Sequence, residues 1–334
     1  MLRQIVESGR VPEAVLRAGI RAICALRLRQ ERRRAPGYRD ALVDELRGSD
    51  IAIEPDAANA QHYEVPAAFF ARVLGPHLKY SSAYWPAGVT SLGEAEARML
   101  ELTCARAGLA DGQSVLDLGC GWGSLTLWAA VRFPASRFTA ISNAPSQRDH
   151  IAGEARRRGL ANVAVRTADV RSLALADGAF DRVVSIEMFE HMRNYHALLR
   201  RIAGWLAPGG ALFVHVFAHQ RHAYPFEDAG ASDWMAREFF TGGLMPSVEL
   251  LHRFQDDLAI TADWQLDGSH YARTAEAWYG NLMAHRDELA ELLGGRGRVE
   301  RWRVFFLACS ELFGYRGGRE WGVAHYRFEP RPPG

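Results

Sequence analysis

The chain has 334 residues, 48% of them hydrophobic and 24% charged, with a formal net charge of +1. That length supports one large domain with an added cap, or two small domains. The balanced charge carries neither the signature of a disordered chain nor the basic footprint of a nucleic-acid binder.

Arginine carries nearly all the positive charge, because Lys79 is the only lysine. With the many alanines this reads as a high-GC coding bias of a bacterial kind. The N-terminal stretch MLRQIVESGRVPEAV lacks the apolar centre of a signal peptide. Residues 1–50 read as helical and arginine-rich. Such a segment either packs on the domain with its arginines in solvent or lies on a membrane surface as a basic amphipathic helix. The first reading is preferred, since pattern alone rarely separates the two. GSDIAIEPDAANA, 48–60, is a turn-rich connector. It divides an N-terminal helical segment, 1–60, from the remaining domain, 61–334. No apolar run reaches the roughly 18 residues of a membrane span, so stable insertion in a bilayer is not expected.

From about residue 114 short apolar runs alternate with helical segments. SVLDL, FTAIS, VAVRT, DRVVSIE and ALFVHVF read as buried strands, and SLTLWAAVRF, SQRDHIAGEARRRG and YHALLRRIAGWL as the helices between them. This alternation predicts an α/β fold, a parallel sheet with helices on both faces. Pro208-Gly209-Gly210 marks a turn before the fifth run. Residues 219–258 are aromatic and irregular, as in an inserted cap. TADWQL then reads as a strand, 275–293 and 299–313 as helices, and WGVAHYRFE as a final strand. The four cysteines, Cys24, Cys104, Cys120 and Cys309, form no Cys-x-x-Cys pair. Neither a disulfide framework nor a zinc site is expected, and a reducing cytoplasm fits.

The sharpest local signal is VLDLGCGWGSLTLWAA, 115–130. A strand ends at Asp117-Leu118, and Gly119, Gly121 and Gly123 follow before a helix. Glycines allow a sharp turn and close approach to a ligand, and open α/β sheets bind ligands at the carboxyl ends of their strands. Dinucleotide folds space the third glycine one residue later. The order Asp-x-Gly-x-Gly-x-Gly instead resembles the loop of S-adenosylmethionine-dependent methyltransferases, whose cofactor has an ammonium for a nearby carboxylate. The competing reading is a merely tight strand–helix turn. After the second strand stand Ser142, Asn143 and Gln147 but no acid for a ribose diol, which also counts against a nicotinamide enzyme. After the third strand Asp169, with Val170 beside it, is an acceptor for an adenine amino group or else a helix cap.

SIEMFEHMRNY, 185–195, sets Glu187, Glu190 and His191 where the apolar run DRVVSI ends. Carboxylates are seldom fully buried unless paired. One reading makes Glu190 and His191 the start of the following helix, since acids favour helix N-termini. The other makes all three the floor of a pocket for a cation.

QHYEVPAAFFARVLGPHLKYSSAYW, 61–85, resembles the segment before the glycine loop in the cyclopropane fatty acid synthase family. Within it the likeness is to the coclaurine N-methyltransferase branch. SIEMFEHMRNY, AYPFEDAGASDWMAREFFTGGLMPS, FQDDLAI, SHYARTAEAW and ELFGYRGGREWGVAHY carry it to residue 326. The resemblance implies a Rossmann-like class I methyltransferase sheet and S-adenosylmethionine as cofactor, with no metal. It matches Tyr80 and Ser81 to a cofactor-covering pair, Asp117 to Gly123 to the glycine loop, and Ser142, Asn143 and Gln147 to a ribose segment that lacks an acid in relatives too. It makes Glu187, Glu190 and His191 the catalytic box and places Glu64 near the amine. Two departures separate the chain from the cyclopropane synthases, which have glycine where Glu187 stands and cysteine where Ser82 stands. Yet Glu190, His215, Tyr271 and Cys309 match their bicarbonate positions, which makes His215 and Tyr271 candidate substrate contacts.

An amine N-methyltransferase is therefore expected, acting on a hydrophobic, cyclic small-molecule amine. The alternative enzyme methylates or cyclopropanates a phospholipid acyl chain, and a third reading is a non-catalytic cofactor-binding protein. Trp234, Phe239 and Phe240 could wall an amine through cation–π contacts, although aromatic clusters are more often core. A homodimer stays open.

Overall fold

The computed structural model describes residues 7–53, 65–226, 239 and 241–331. Glu64, Trp234 and Phe240 lie outside them. Helix α1 (Glu13–Arg32) and α2 (Tyr38–Gly48) come first, and α3 (Ala67–Val73) follows. Helix α4 (Leu92–Ala107) was not read from the sequence, although its start is a capping box. Ser91 Oγ accepts from the Glu94 amide while the Glu94 carboxylate reaches back to the Ser91 amide, which satisfies two otherwise orphaned donors.

The alternating segment then builds β1 (Ser114–Leu118), α5 (Ser124–Arg132), β2 (Arg137–Ser142), α6 (Pro145–Arg157), β3 (Val163–Thr167) and β4 (Phe180–Ile186). Helix α7 (Tyr195–Trp205) and β5 (Leu206–His219) complete it. A two-stranded ribbon, β6 (Tyr224–Pro225) with β7 (Leu244–Met245), lies in the cap region. Strand β8 (Leu258–Asp267), α8 (Ser269–Ala284), α9 (Arg286–Leu293), α10 (Arg296–Phe313) and β9 (Trp321–Pro330) finish the chain. The helix expected over 275–293 is thus two helices. His285, at φ −110° and ψ 19°, ends one and opens the next. The Pro208-Gly209-Gly210 turn is a bulge within β5, between the pairs Phe180–Leu206 and Arg182–Ala211.

The seven-stranded sheet has the order β3-β2-β1-β4-β5-β9-β8. Strands β1 to β5 are parallel, as the alternation predicts, while β9 runs antiparallel to both β5 and β8. The strand order reverses between β1 and β4, which opens a crevice at their carboxyl ends. Alternate residues face opposite layers. Val184 and Phe213 pack with α4 and α5, whereas Val183, Leu212 and Val214 pack with α2 and α7. Beside the sheet, Phe69, Phe70, Tyr80, Trp278, Trp302 and Phe306 form an aromatic cluster. Each such pair contributes about 0.5–1.5 kcal/mol beyond burial of area, so the Tyr80 segment is held firmly over the strand ends.

Helix α1 packs against α10 and α8. Arg17 pairs with Glu276 at 2.6 Å and Glu311 at 2.9 Å, and Cys24 and Leu28 are buried. This agrees with the preferred reading of that helix. No helix among the described residues is long and apolar enough to cross a membrane.

Candidate active site

A cavity of about 1260 Å³, part of it open to solvent, sits at the carboxyl ends of β1, β2 and β4. Its wall includes Tyr80, Ser81, Asp117, Gly119, Gly121, Ser142, Asn143, Gln147, Asp169, Val170, Glu187 and His191. Ten of these twelve residues lie at or just beyond the carboxyl ends of β1 to β4, which share one edge of the sheet, and the segment of Tyr80 and Ser81 packs over them.

The glycine loop divides into two functions. Gly121 has φ +51°, and a Cβ built on it meets no protein atom within 4 Å. It faces the cavity, so a side chain there would fill space meant for a ligand. Gly123 does not line the cavity. It has φ +80°, and its Cβ would strike Ile151 Cγ1 at 2.7 Å. Its role is the close approach of α5 to α6. Gly119 is likewise tight, with Met188 Cγ 2.8 Å from its would-be Cβ, but it does border the cavity.

Other groups in the wall have unmet capacity. Asp117 is 2% exposed and accepts from Thr126 Oγ1 at 2.6 Å. Burial pushes its carboxyl up to about 6, and a cation beside it would restore its charge. Ser142 Oγ donates to Gln147 Oε1 at 2.6 Å. That bond turns Gln147 Nε2 to the other side, where it has no partner among the described residues, and Ser124 Oγ has none either. Buried polar atoms without partners are rare. A donor amide at the end of β2 can bind a ribose hydroxyl without an acid. Asp169 does not cap a helix. Its carboxylate pairs with Arg171 at 2.6 Å, which holds it below its usual range. An adenosyl group with an amino-acid tail fits this set of donors, acceptors and open backbone.

Glu187 stands at the opposite wall with φ +49°, a backbone state that costs a non-glycine residue about 1–2 kcal/mol. Such strain concentrates at functional sites. Its carboxylate collects three donors. Ser82 N–H is 2.9 Å and His215 Nε2 3.2 Å from Oε1, and the Tyr271 hydroxyl is 2.6 Å from Oε2. His215 and Tyr271, the positions associated by resemblance with bicarbonate, therefore bind a carboxylate that the chain itself supplies. Neither lines the cavity. Cys309 is buried, and burial pushes its thiol up.

Glu190 has a different setting. It is fully buried, does not line the cavity, and accepts from the Phe217 amide at 2.6 Å. Burial first, then the Glu187 charge, raises its carboxyl well above the usual range. Burial also raises Glu187, but Lys79, the Ser82 amide, Tyr271 and His191 pull it back. Both carboxyls are thus pushed toward the protonated form, Glu190 further than Glu187. His191 borders the cavity, and burial lowers it to about 4. It is neutral near pH 7 rather than titrating there, as an unperturbed histidine would. Neither Glu190 nor His191 caps α7. They belong to a short 3₁₀ turn, and Asn194 caps the helix by accepting from the Ala197 amide. Phe239 packs on Phe305 with ring centroids 4.1 Å apart and does not line the cavity.

Lys79 was not read as a site residue. The only lysine is 1% exposed, and its ammonium donates to Ser81 Oγ and, at 2.8 Å, to the Ser82 carbonyl. Burial lowers it to about 8 against the raising effect of Glu187 and Glu96. It borders the cavity and ties down the Ser81–Ser82 segment. Its uniqueness among 40 basic residues was the available signal.

The family model described as mycolic acid cyclopropane synthetase matches residues 53–318. The chain is 40% identical over 301 residues to (S)-coclaurine N-methyltransferase of Thalictrum flavum subsp. glaucum, covering 87% of this chain and 83% of the relative. It is 30% identical over 270 residues to cyclopropane-fatty-acyl-phospholipid synthase of Escherichia coli K12, covering 80% and 67%. Its fold superposes with a TM-score of 0.93 on a crystal structure of coclaurine N-methyltransferase bound to N-methylheliamine and S-adenosylhomocysteine, at 37% identity and 98% coverage of both chains.

Proposed function

The chain belongs to the mycolic acid cyclopropane synthetase family and is an S-adenosylmethionine-dependent methyltransferase, and from that premise we propose that its acceptor is the nitrogen of a hydrophobic, cyclic amine. The observation that carries this reading is the Glu187 carboxylate, strained, held by three donors and set in the cavity wall. A reaction at an alkene needs no carboxylate in the cavity wall. The coclaurine N-methyltransferase relatives support the same class.

Asp117, the open face of Gly121, Ser142, Asn143, Gln147, Asp169 and Val170 would hold the cofactor, with Tyr80 and Ser81 covering it. When bound, it supplies an electrophilic methyl group on sulfur. The residues of this chain must then present a nucleophile. An alkylamine is protonated near neutrality and has no lone pair to offer. Glu187 attracts the ammonium form. Burial raises the carboxylate's proton affinity and lowers that of an ammonium beside it, so the gap between them narrows. Glu187 can accept the proton at Oε2, the oxygen with one donor rather than two. His191, neutral and on the same wall, is the next acceptor. His215 and Tyr271 orient Glu187 rather than touch the amine, and Glu190 lies behind it, accepting from the Phe217 amide. A reducing cytoplasm is the proposed setting, supported by four buried thiols without a disulfide.

The test is transfer of labelled methyl from S-adenosylmethionine to a panel of secondary and tertiary cyclic amines, run beside unsaturated phospholipid vesicles with bicarbonate. Methylation of at least one amine and none of the lipid is expected. Bicarbonate-dependent labelling of lipid with no amine accepted would replace this reading with the acyl-chain enzyme. Tight cofactor binding with neither product would leave a non-catalytic protein.

A further inference from the structure

Behind Glu187 the sheet carries a row of polar side chains that continues away from the cavity. Ile186 of β4 is opposite His215 of β5, His215 is opposite His325 of β9, and His325 is opposite Trp264 of β8. Cross-strand partners share a face, so this register places both imidazoles side by side on the face covered by α4. Arg106 of α4 closes the row with its guanidinium 4.8 Å from the Trp264 ring centre.

The distances join these groups into one chain. Arg106 Nη1 is 2.7 Å from His325 Nδ1, His325 Nε2 is 2.9 Å from His215 Nδ1, and His215 Nε2 is 3.2 Å from Glu187 Oε1. A guanidinium can only donate. His325 Nδ1 must therefore accept, and a neutral ring then carries its hydrogen on Nε2. That hydrogen makes His215 Nδ1 an acceptor, which leaves the His215 hydrogen on Nε2, directed at the carboxylate. One donor-only group at the far end fixes the direction of every bond in the row.

Both histidines are 0% exposed. Burial, with Lys79 and Arg106 nearby, lowers both well below their usual range and keeps the rings neutral. The charged and titratable groups facing Glu187 are Lys79, His191, Glu190, His215, Tyr271 and Cys309. Those facing the two imidazoles are Lys79, Arg106 and Glu187.

We propose that Arg106 and His325 are positioning residues which, through His215, lock Glu187 Oε1 as a hydrogen-bond acceptor and confine any proton taken by Glu187 to Oε2. The inference rests on Glu187 being the carboxylate that meets the amine. Neither Arg106 nor His325 lines the cavity, so their effect reaches the substrate only through the row.

The test is nitrogen NMR of protein labelled at histidine, combined with carbon NMR of labelled glutamate carboxyls, signals being assigned by single substitutions. His215 and His325 should both show the Nε2–H form. Arg106→Met should mix the tautomers of both rings and raise the Glu187 titration midpoint by about one pH unit, since a donor to the charged form is weakened. Arg106→Lys retains a donor and should restore both signals. An Nδ1–H form at either ring of the unmodified protein overturns the proposal, and that measurement needs no variant to fold. An Arg106→Met protein with unchanged tautomers and midpoint overturns it as well. These readouts need no turnover, so their failure is distinct from a failure to methylate amines.

Discussion

Replacement of Glu187 by glutamine removes the proposed ammonium site while leaving its shape. The amide oxygen can still accept from Ser82 N–H and His215 Nε2, and its nitrogen can donate to the Tyr271 oxygen. The backbone strain at φ +49° is unchanged. Lys79 loses an ionic neighbour, but burial already lowers it to about 8, so it can shed its proton rather than stay charged. Fold stability should therefore change little. A hydrogen bond to a charged partner contributes about 1.5–3 kcal/mol against 0.5–1.5 for a neutral one. Losing that difference weakens ammonium capture by roughly 5- to 30-fold. Loss of the base adds about 10²–10⁴ in rate. kcat/KM for an accepted amine should fall by at least about 10²-fold. Calorimetry with S-adenosylhomocysteine should show a Kd within about threefold of the unmodified protein, less than 1 kcal/mol. Turnover at the original rate, or a loss of cofactor affinity as large as the loss of turnover, would refute the assignment.

Gly121→Val should abolish cofactor binding in calorimetry, because the side chain enters the cavity and the φ of +51° is unfavourable for a branched residue; undiminished binding would remove the cofactor-loop assignment. Between pH 6 and 9 the rate with a cyclic amine should rise as the amine loses its proton. His191→Ala should lower that rate without moving the limb, since burial holds His191 at about 4; a shifted limb would show that His191 titrates there. Stability should fall on acidification. A histidine lowered on folding contributes fully above its unfolded value near 6.5 and loses that contribution as pH falls through its folded value, about 4 for His191 and about 3 for His219. Asp117 and Glu96, raised to about 6 and about 7, oppose this above roughly pH 4.5 but are protonated in both states below it. The steepest loss by chemical denaturation should thus lie between about pH 4.5 and 3, and a flat profile there would contradict the buried neutral histidines. An amine-reactive acylating reagent should leave Lys79 unmodified in the folded protein and modify it fully in denaturant, read by peptide mass spectrometry; rapid modification of the folded chain would contradict its burial.

Local sequence was sufficient for whatever is decided within a few residues. Strand–helix alternation from Ser114 to Phe217 gave the five parallel strands, because a buried strand and its crossover helix each carry their own apolar pattern. The Ser91–Glu94 box marks the start of α4 within four residues. The break at His285 left no mark, since helical periodicity continues on both sides. The antiparallel setting of β9 also left none, because an apolar strand reads the same in either direction. In the site, the sequence showed that acids and a histidine end β4 next to a glycine loop. It could not show that Gly123 serves packing against Ile151 while Gly121 serves the cavity. Nor could it separate Glu187 from Glu190. They are three positions apart, yet Glu187 lines the cavity and is held by Ser82, His215 and Tyr271, while Glu190 turns into the core beneath Phe217. That difference, like the row from Glu187 to Arg106, comes from the register of β4, β5, β9 and β8 and the packing of α4 and α8 on them. Register joins residues more than a hundred positions apart, His215 and His325 among them, and it is settled by the burial of whole sheet faces rather than by any single stretch of chain.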